Sequence, residues 1–288
     1  MQEHRIMTAH EDGYFVLSFD FAENLLVPLL NPQPGSFYFN SRRKIEIFGV
    51  TDESKGIQTN YIFDECHKIN KGPNQIISMM HHHISTKIPE GAKMILYCDN
   101  CPGQNKNQTV IAYLCYLVHD LKRHPFISLN FMVSGHTKFA PDRHFGTLKK
   151  KIKNQGCSSI LDLVGNQGLV KQSAKDNEYI VYKDPITFNQ NFGWYGWDEF
   201  LNRKYGACTG IRNWHIINIS EDKSNISVSN GIGQPFEDYN NNIHADIQLN
   251  TIPGTLNPAG LSQERIRQLK HFEPYIKDEH KPFILNNF

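Results

Sequence analysis

Residues 93–107 read KMILYCDNCPGQNKN. The first five are a short, apolar, β-rich run that ends at Cys98-Asp99-Asn100, and a Pro-Gly turn follows before a new period begins. Over residues 105–123, Val110, Leu114, Leu117, Val118 and Leu121 recur on one helical face. A strand that feeds a helix through a tight polar turn is the unit of an alternating α/β sheet.

Working outward, residues 14–21 (YFVLSFDF) form a run expected to be a strand buried on both faces. Residues 29–36 are a loop on their Pro and Gly content. Residues 44–50 (KIEIFGV) alternate as a second strand, residues 59–63 are a third, and the turn chemistry at 52–56 joins these two as an antiparallel hairpin. After Lys71-Gly72-Pro73 the period becomes helical through Ile76, Ile77, Met80 and Ile84, with Pro73 where a first turn tolerates it. Residues 127–133 are a further strand, and 141–153 a basic helix with Phe145, Leu148 and Ile152 inward. Three strands, a helix, then strand, helix, strand, helix predict an α/β fold with a mixed five-stranded sheet and helices on both faces, spanning residues 1–157. Residues 158–288 read as an α+β C-terminal appendage packed on that core. They hold strands at 178–182 and 214–219, a short helix at 197–204, turns at 224–242, and a helix at 262–272 capped by Ser262.

The 288 residues are 39% hydrophobic and 20% charged, enough apolar material for a core. No run approaches the roughly 20 apolar residues of a spanning helix, and the polar N-terminus reads as lacking an export signal. An intracellular protein with six reduced cysteines is expected, because their spacing is irregular. Cys98 and Cys101 form a CxxC without the second compact pair that a structural zinc site needs. His81-His82-His83 point about 100° apart on a helix and cannot converge on one ion, so a solvated face is expected. The net charge of +1 excludes a tail-driven nucleic-acid binder but leaves room for a local basic groove.

Three acids stand out by position: Asp20 ends the first strand, Asp99 ends the fourth, and Asp142 opens the basic helix on the side of Phe145. Ligands bind at the carboxyl ends of strands in open α/β sheets. If the first and fourth strands are parallel neighbours, Asp20 and Asp99 face each other across about 5 Å. Two carboxylates that close repel unless a cation intervenes. Oxygen-only ligation selects Mg²⁺ or Mn²⁺, and two such ions about 3.5–4 Å apart can clamp a phosphodiester. The bland readings are a helix-dipole acid for Asp142 and a turn for Asp99-Asn100. An acid in an apolar strand, Asp20, needs compensation under either reading. Lys138, Arg143 and Lys149–Lys151 with Lys153 make a basic block around Asp142, suited to a polyanion. Lys106, Arg143 and Lys149 are the expected backbone contacts. Asp64 and Glu65, ending the third strand, either supply a fourth ligand or close a turn.

FDFAENLLVP, KGPNQIIS, YCDNCPGQNKN, SGHTKFAPDRHFG and the C-terminal LSQERIRQLKHFEPYI resemble a transposon-derived family of unknown function with a ribonuclease-H-like fold. The layout is similar to that of DDE transposases and integrases. The resemblance implies that Asp20, Asp99 and Asp142 are the catalytic and metal-binding acids, with an Asp where many such enzymes carry Glu. It implies His136 as an auxiliary group that orients a phosphate or a metal-bound water. It further implies a nuclear, multimeric enzyme that cleaves or transfers nucleic-acid strands, DNA foremost, with Mg²⁺ or Mn²⁺. The alternative is a transposase-derived module that binds nucleic acid or acts as a scaffold without chemistry.

Overall fold

The computed structural model describes residues 13–132, 140–165, 167–240, 246–249 and 251–287. Its centre is set by β1 (Tyr14–Phe21), in which Leu17 and Phe19 are wholly buried on one face and Val16 and Ser18 on the other. β2 (Leu25–Val27) is a short excursion that pairs with β3 (Arg43–Asp52), and β3 forms the expected hairpin with β4 (Ile57–Asp64). α1 (Pro73–Lys87) starts at its proline. It leads to β5 (Lys93–Cys98), then α2 (Gln108–Cys115), capped where Asn107 Oδ1 accepts from the Val110 amide at 3.1 Å. α2 continues into a π-helical turn at Tyr116–Asp120. β6 (Phe126–Phe131) and α3 (Ala140–Gln155) complete the alternation.

The later residues add α4 (Leu169–Ser173), β7 (Asn177–Val181), β8 (Trp194–Tyr195), α5 (Trp197–Asn202), β9 (Ile216–Ser220), β10 (Ile226–Ser229) and β11 (Glu237–Tyr239). They are followed by β12 (Thr255–Leu256), α6 (Gln263–Leu269) and α7 (Lys281–Leu285). Ser262 caps α6, as its position predicts.

The sheet is larger than expected. It has ten strands in the order β11-β10-β9-β6-β5-β1-β3-β4-β7, with β2 beside β3. The five predicted strands form its middle, β6-β5-β1-β3-β4, with β5 and β6 parallel to β1 and β3 antiparallel to it. The five-strand expectation fell short because β7 and β9 pair with partners far away in sequence, which nothing local announces, and β10 and β11 then add to β9 as hairpins within residues read as turns. Ser227–Asp238 and Ser220–Asp222 contacts hold the polar outer hairpins, whose β10 and β11 arms lie within residues 224–242 that read as turns in the sequence.

Alternation along the strands sorts the two faces. One face presents Leu17, Phe19, Phe48, Val50, Met94 and Leu96 to the apolar sides of α1 and α2. The other presents Ile45, Ile47 and Ile62 to Phe145, Leu148 and Ile152 of α3, and residues 160–170 and 269–285 extend that second core. The histidine triplet corrects its expectation. His83 is buried, His82 Nδ1 lies 3.0 Å from the Tyr61 hydroxyl, and His81 Nδ1 lies 3.2 Å from that of Tyr113. Burial pushes His81 down to about 4 and His83 to about 3, so both stay neutral within an aromatic cluster. Among the described residues no helix is long and apolar enough to cross a membrane.

Candidate functional site

β1 and β5 run parallel in a register that pairs Ser18 with Tyr97. Two more steps put Asp20 opposite Asp99, one interstrand spacing apart, about 4.8 Å. In the same row Asp20 pairs with Gly49, and Gly49 with Asn60. Because partners across a ladder point the same way, Asp20 and Asp99 share the face that α3 covers.

Gly49 is what lets α3 come close. A Cβ there would lie 2.8 Å from Phe145 Cζ and 2.8 Å from Gln58 Nε2. A glycine inside a strand marks such an approach. Gly49→Ala is therefore expected to push Phe145 away, shift the Asp142 end of α3, and cost about 1–3 kcal/mol of stability. Urea denaturation measures the loss; an unchanged midpoint would show that the contact has slack.

The two carboxylates are held differently. Asp20 is half-buried, and its Oδ1 accepts the Phe21 amide at 2.7 Å. Burial, together with the Asp99 charge and a smaller contribution from Asp142, raises Asp20 to about 7, and the Phe21 bond only partly offsets this. Asp99 Oδ1 accepts the Cys101 amide at 3.1 Å and the Asn105 side-chain amide at 2.5 Å. The Cys101 carbonyl in turn accepts the amides of Gln104, Asn105 and Lys106 at 3.2, 2.9 and 3.0 Å. The loop that looked like a turn is thus a compact frame around Asp99. Asn105, which no spacing in the sequence singles out, is its buried strut.

Asp142 lies in the first turn of α3 and is exposed, whereas Phe145 is buried, so the expectation that Asp142 points at the sheet is corrected. Residues three apart on a helix are offset by about 60°, enough to move the acid to the rim. Desolvation there raises its pKa, and Lys149 opposes the rise. Its contribution to Asp20 places it within electrostatic reach of the pair. Among the described residues no three His, Cys, Asp or Glu side chains stand close enough together to hold a metal ion.

The remaining residues singled out in the sequence have these places. Arg143 is exposed beside Asp142. Lys149 reaches Glu23 at 3.0 Å in an exposed pair that contributes little. Lys106 is almost wholly buried, and its Nζ donates to Asn100 Oδ1 at 3.0 Å and to the Arg212 carbonyl at 2.9 Å. Glu65 accepts from Arg265 Nε and Nη2 at 3.1 and 2.9 Å. It stands five residues past Asn60, about 16 Å along the strand from the Asp20 row, and closes a turn there. His136 and Lys138 lie outside the described residues.

Fold and site together define a mixed α/β protein with a carboxylate pair where two parallel strands end. The family described as a domain of unknown function, DUF7869, matches residues 40–230, and the chain belongs to it. The matched span holds Asp99 and Asp142 and begins after Asp20. No curated protein and no solved structure matches the chain.

Proposed function

We propose that the protein is a transposase- or integrase-like, transposon-derived enzyme with a ribonuclease-H-like core, acting in the nucleus on nucleic acid, DNA foremost. Asp20 and Asp99 hold a divalent ion for phosphodiester cleavage or strand transfer. The observation that carries the reading is the Asp20–Asp99 pair, in which a desolvated carboxyl faces a second one at the carboxyl edge of the sheet. The central strand order, with two strands parallel to β1 on one side and an antiparallel hairpin on the other, supports the core assignment.

The donors fit a hard ion. They are oxygens only, and among the described residues neither Asp20 nor Asp99 has a cationic partner. A bound Mg²⁺ or Mn²⁺ would supply charge stabilisation of a phosphoryl oxygen. The chain's own residues do the rest. The Cys101 amide and Asn105 fix one oxygen of Asp99, which leaves the other for a ligand. α3 lines up Arg143, Lys149, Lys150 and Lys153 on its open side, next to Asp142, where they attract a phosphate backbone.

The exposure of Asp142 favours a second reading, a nucleic-acid-binding or scaffolding module of the same fold without chemistry. A nicking assay with Mn²⁺ or Mg²⁺ on DNA and RNA separates the two. The enzyme reading expects product from the wild type and a loss of at least about a thousandfold in Asp20→Asn and Asp99→Asn. Salt-sensitive binding without product supports the module.

A further inference from the structure

Lys106 is an unusual lysine. Its ammonium is buried against the Phe131 ring, 5.0 Å from the centroid, and it donates to two neutral acceptors. One acceptor, Asn100, follows Asp99 directly; the other, the Arg212 carbonyl, belongs to the second half of the chain. A buried cation is costly unless it is hydrogen-bonded in place, so this contact fixes the two segments to each other.

Topology puts the second segment at the same edge of the sheet as the site, two strands along from β5. β6 pairs with β9 antiparallel, Asn130 opposite Ile216, and the Phe131 amide donates to the His215 carbonyl at 2.8 Å. One further step sets Trp214 beside Met132, which follows the Cys98–Phe131 pair and lies opposite Asp99. The turn at 209–214 therefore occupies the same edge of the sheet as the carboxylates. It is braced by Asn213 N to Gly210 O at 2.9 Å and by Thr209 N to the Tyr239 hydroxyl at 2.8 Å. Buried Trp214 closes it, and Arg212 at its apex is exposed.

We infer that Lys106 is a positioning residue, and that the turn it holds is a wall of the candidate site that presents Arg212 to a substrate phosphate. This rests on the nucleic-acid reading above and assigns it a contact from outside the predicted core. Lys106 then serves the backbone phosphate indirectly, through Arg212.

The test is fluorescence anisotropy of the full chain with a labelled oligonucleotide, single-stranded and duplex, over a series of salt concentrations without divalent ions. Arg212→Gln is expected to weaken binding about five- to tenfold and to lower the log–log salt slope by about one. Lys223→Gln, in the turn at the opposite end of β9, serves as the control and keeps the wild-type slope. Lys106→Met should lose as much as Arg212→Gln, and the double variant no more than either. If Lys106→Met does not fold, Asn100→Ala, which removes one acceptor of the same ammonium, replaces it. A wild-type slope in Arg212→Gln, or additive losses in the double variant, overturns the inference. Normal binding by Arg212→Gln alongside cleavage lost in Asp20→Asn would overturn it and spare the proposed function. The expected Arg212 effect with cleavage intact in Asp20→Asn and Asp99→Asn would do the reverse. A wild type that binds neither oligonucleotide overturns both.

Discussion

Replacing Asp20 with Asn is expected to stabilise the metal-free protein at pH 8 while leaving it unchanged near pH 4. The folded state holds the Asp20 carboxyl at about 7 against an ordinary value of 3.8, chiefly through burial and then through Asp99. Between these values the folded protein keeps a proton that the unfolded chain has released. Stability therefore falls as pH rises through this window and stays low above it. A carboxyl raised this far costs the folded state on the order of 4 kcal/mol once it is ionised, and removing the charge recovers much of that. For a chain of this size the gain is a rise in Tm of roughly 5 °C. Thermal unfolding at the two pH values, with a chelator present, measures it. The same rise at both values would trace the effect to packing, and no rise at pH 8 would mean that Asp20 is not held against its neighbour. Added Mn²⁺ should stabilise the wild type at pH 8 and not the variant, since an ion that binds only the folded state raises its stability.

The second large effect is at Arg43. Its guanidinium is wholly buried, with Nε 2.8 and 2.9 Å from the two oxygens of Asp64 and Nη2 2.7 Å from Oδ1. Nη1 donates to the Ile284 and Asn286 carbonyls, both at 2.9 Å. One side chain thus ties the start of β3, the end of β4 and the C-terminal helix together. Arg43→Met leaves Asp64 charged and buried, and breaking such a pair costs about 3–5 kcal/mol. Urea unfolding should show that loss, and proteolysis should release residues beyond 281 first. Adding Asp64→Leu should restore part of the stability, because the stranded charge is gone. A single-variant loss below about 1 kcal/mol would contradict this role for Arg43.

Local periodicity made the middle of the sheet legible. Residues 14–21, 44–50, 59–63, 93–97 and 127–133 carried strand patterns, and the change of period at 71–84 and 105–123 marked the helices. What a sequence does not carry is the partner. Residues 178–182 and 214–219 read as strands, but only the fold shows that they join opposite ends of one sheet through β4 and β6. The Asp20–Asp99 facing was readable as a conditional, because both strands end at an acid, and the parallel register of β1 and β5 supplies the condition. The Gly49 approach was also readable in principle, from a glycine inside the strand pattern KIEIFGV. The exposure of Asp142 depends on a helical offset that burial of Phe145 alone does not settle. Lys106 looked like a surface contact in a polar loop because Phe131 and Arg212, which enclose it, are distant in sequence.

The central claim, a divalent ion held by Asp20 and Asp99, is tested most directly by calorimetric Mn²⁺ titration of the wild type and Asp99→Ala side by side near pH 6, in buffers of different ionisation enthalpy. Asp20 carries its proton there, so the wild type is predicted to bind Mn²⁺ saturably and to release about one proton per ion, and Asp99→Ala to lose the binding. Saturable binding of equal affinity in Asp99→Ala, or none in the wild type, would contradict it.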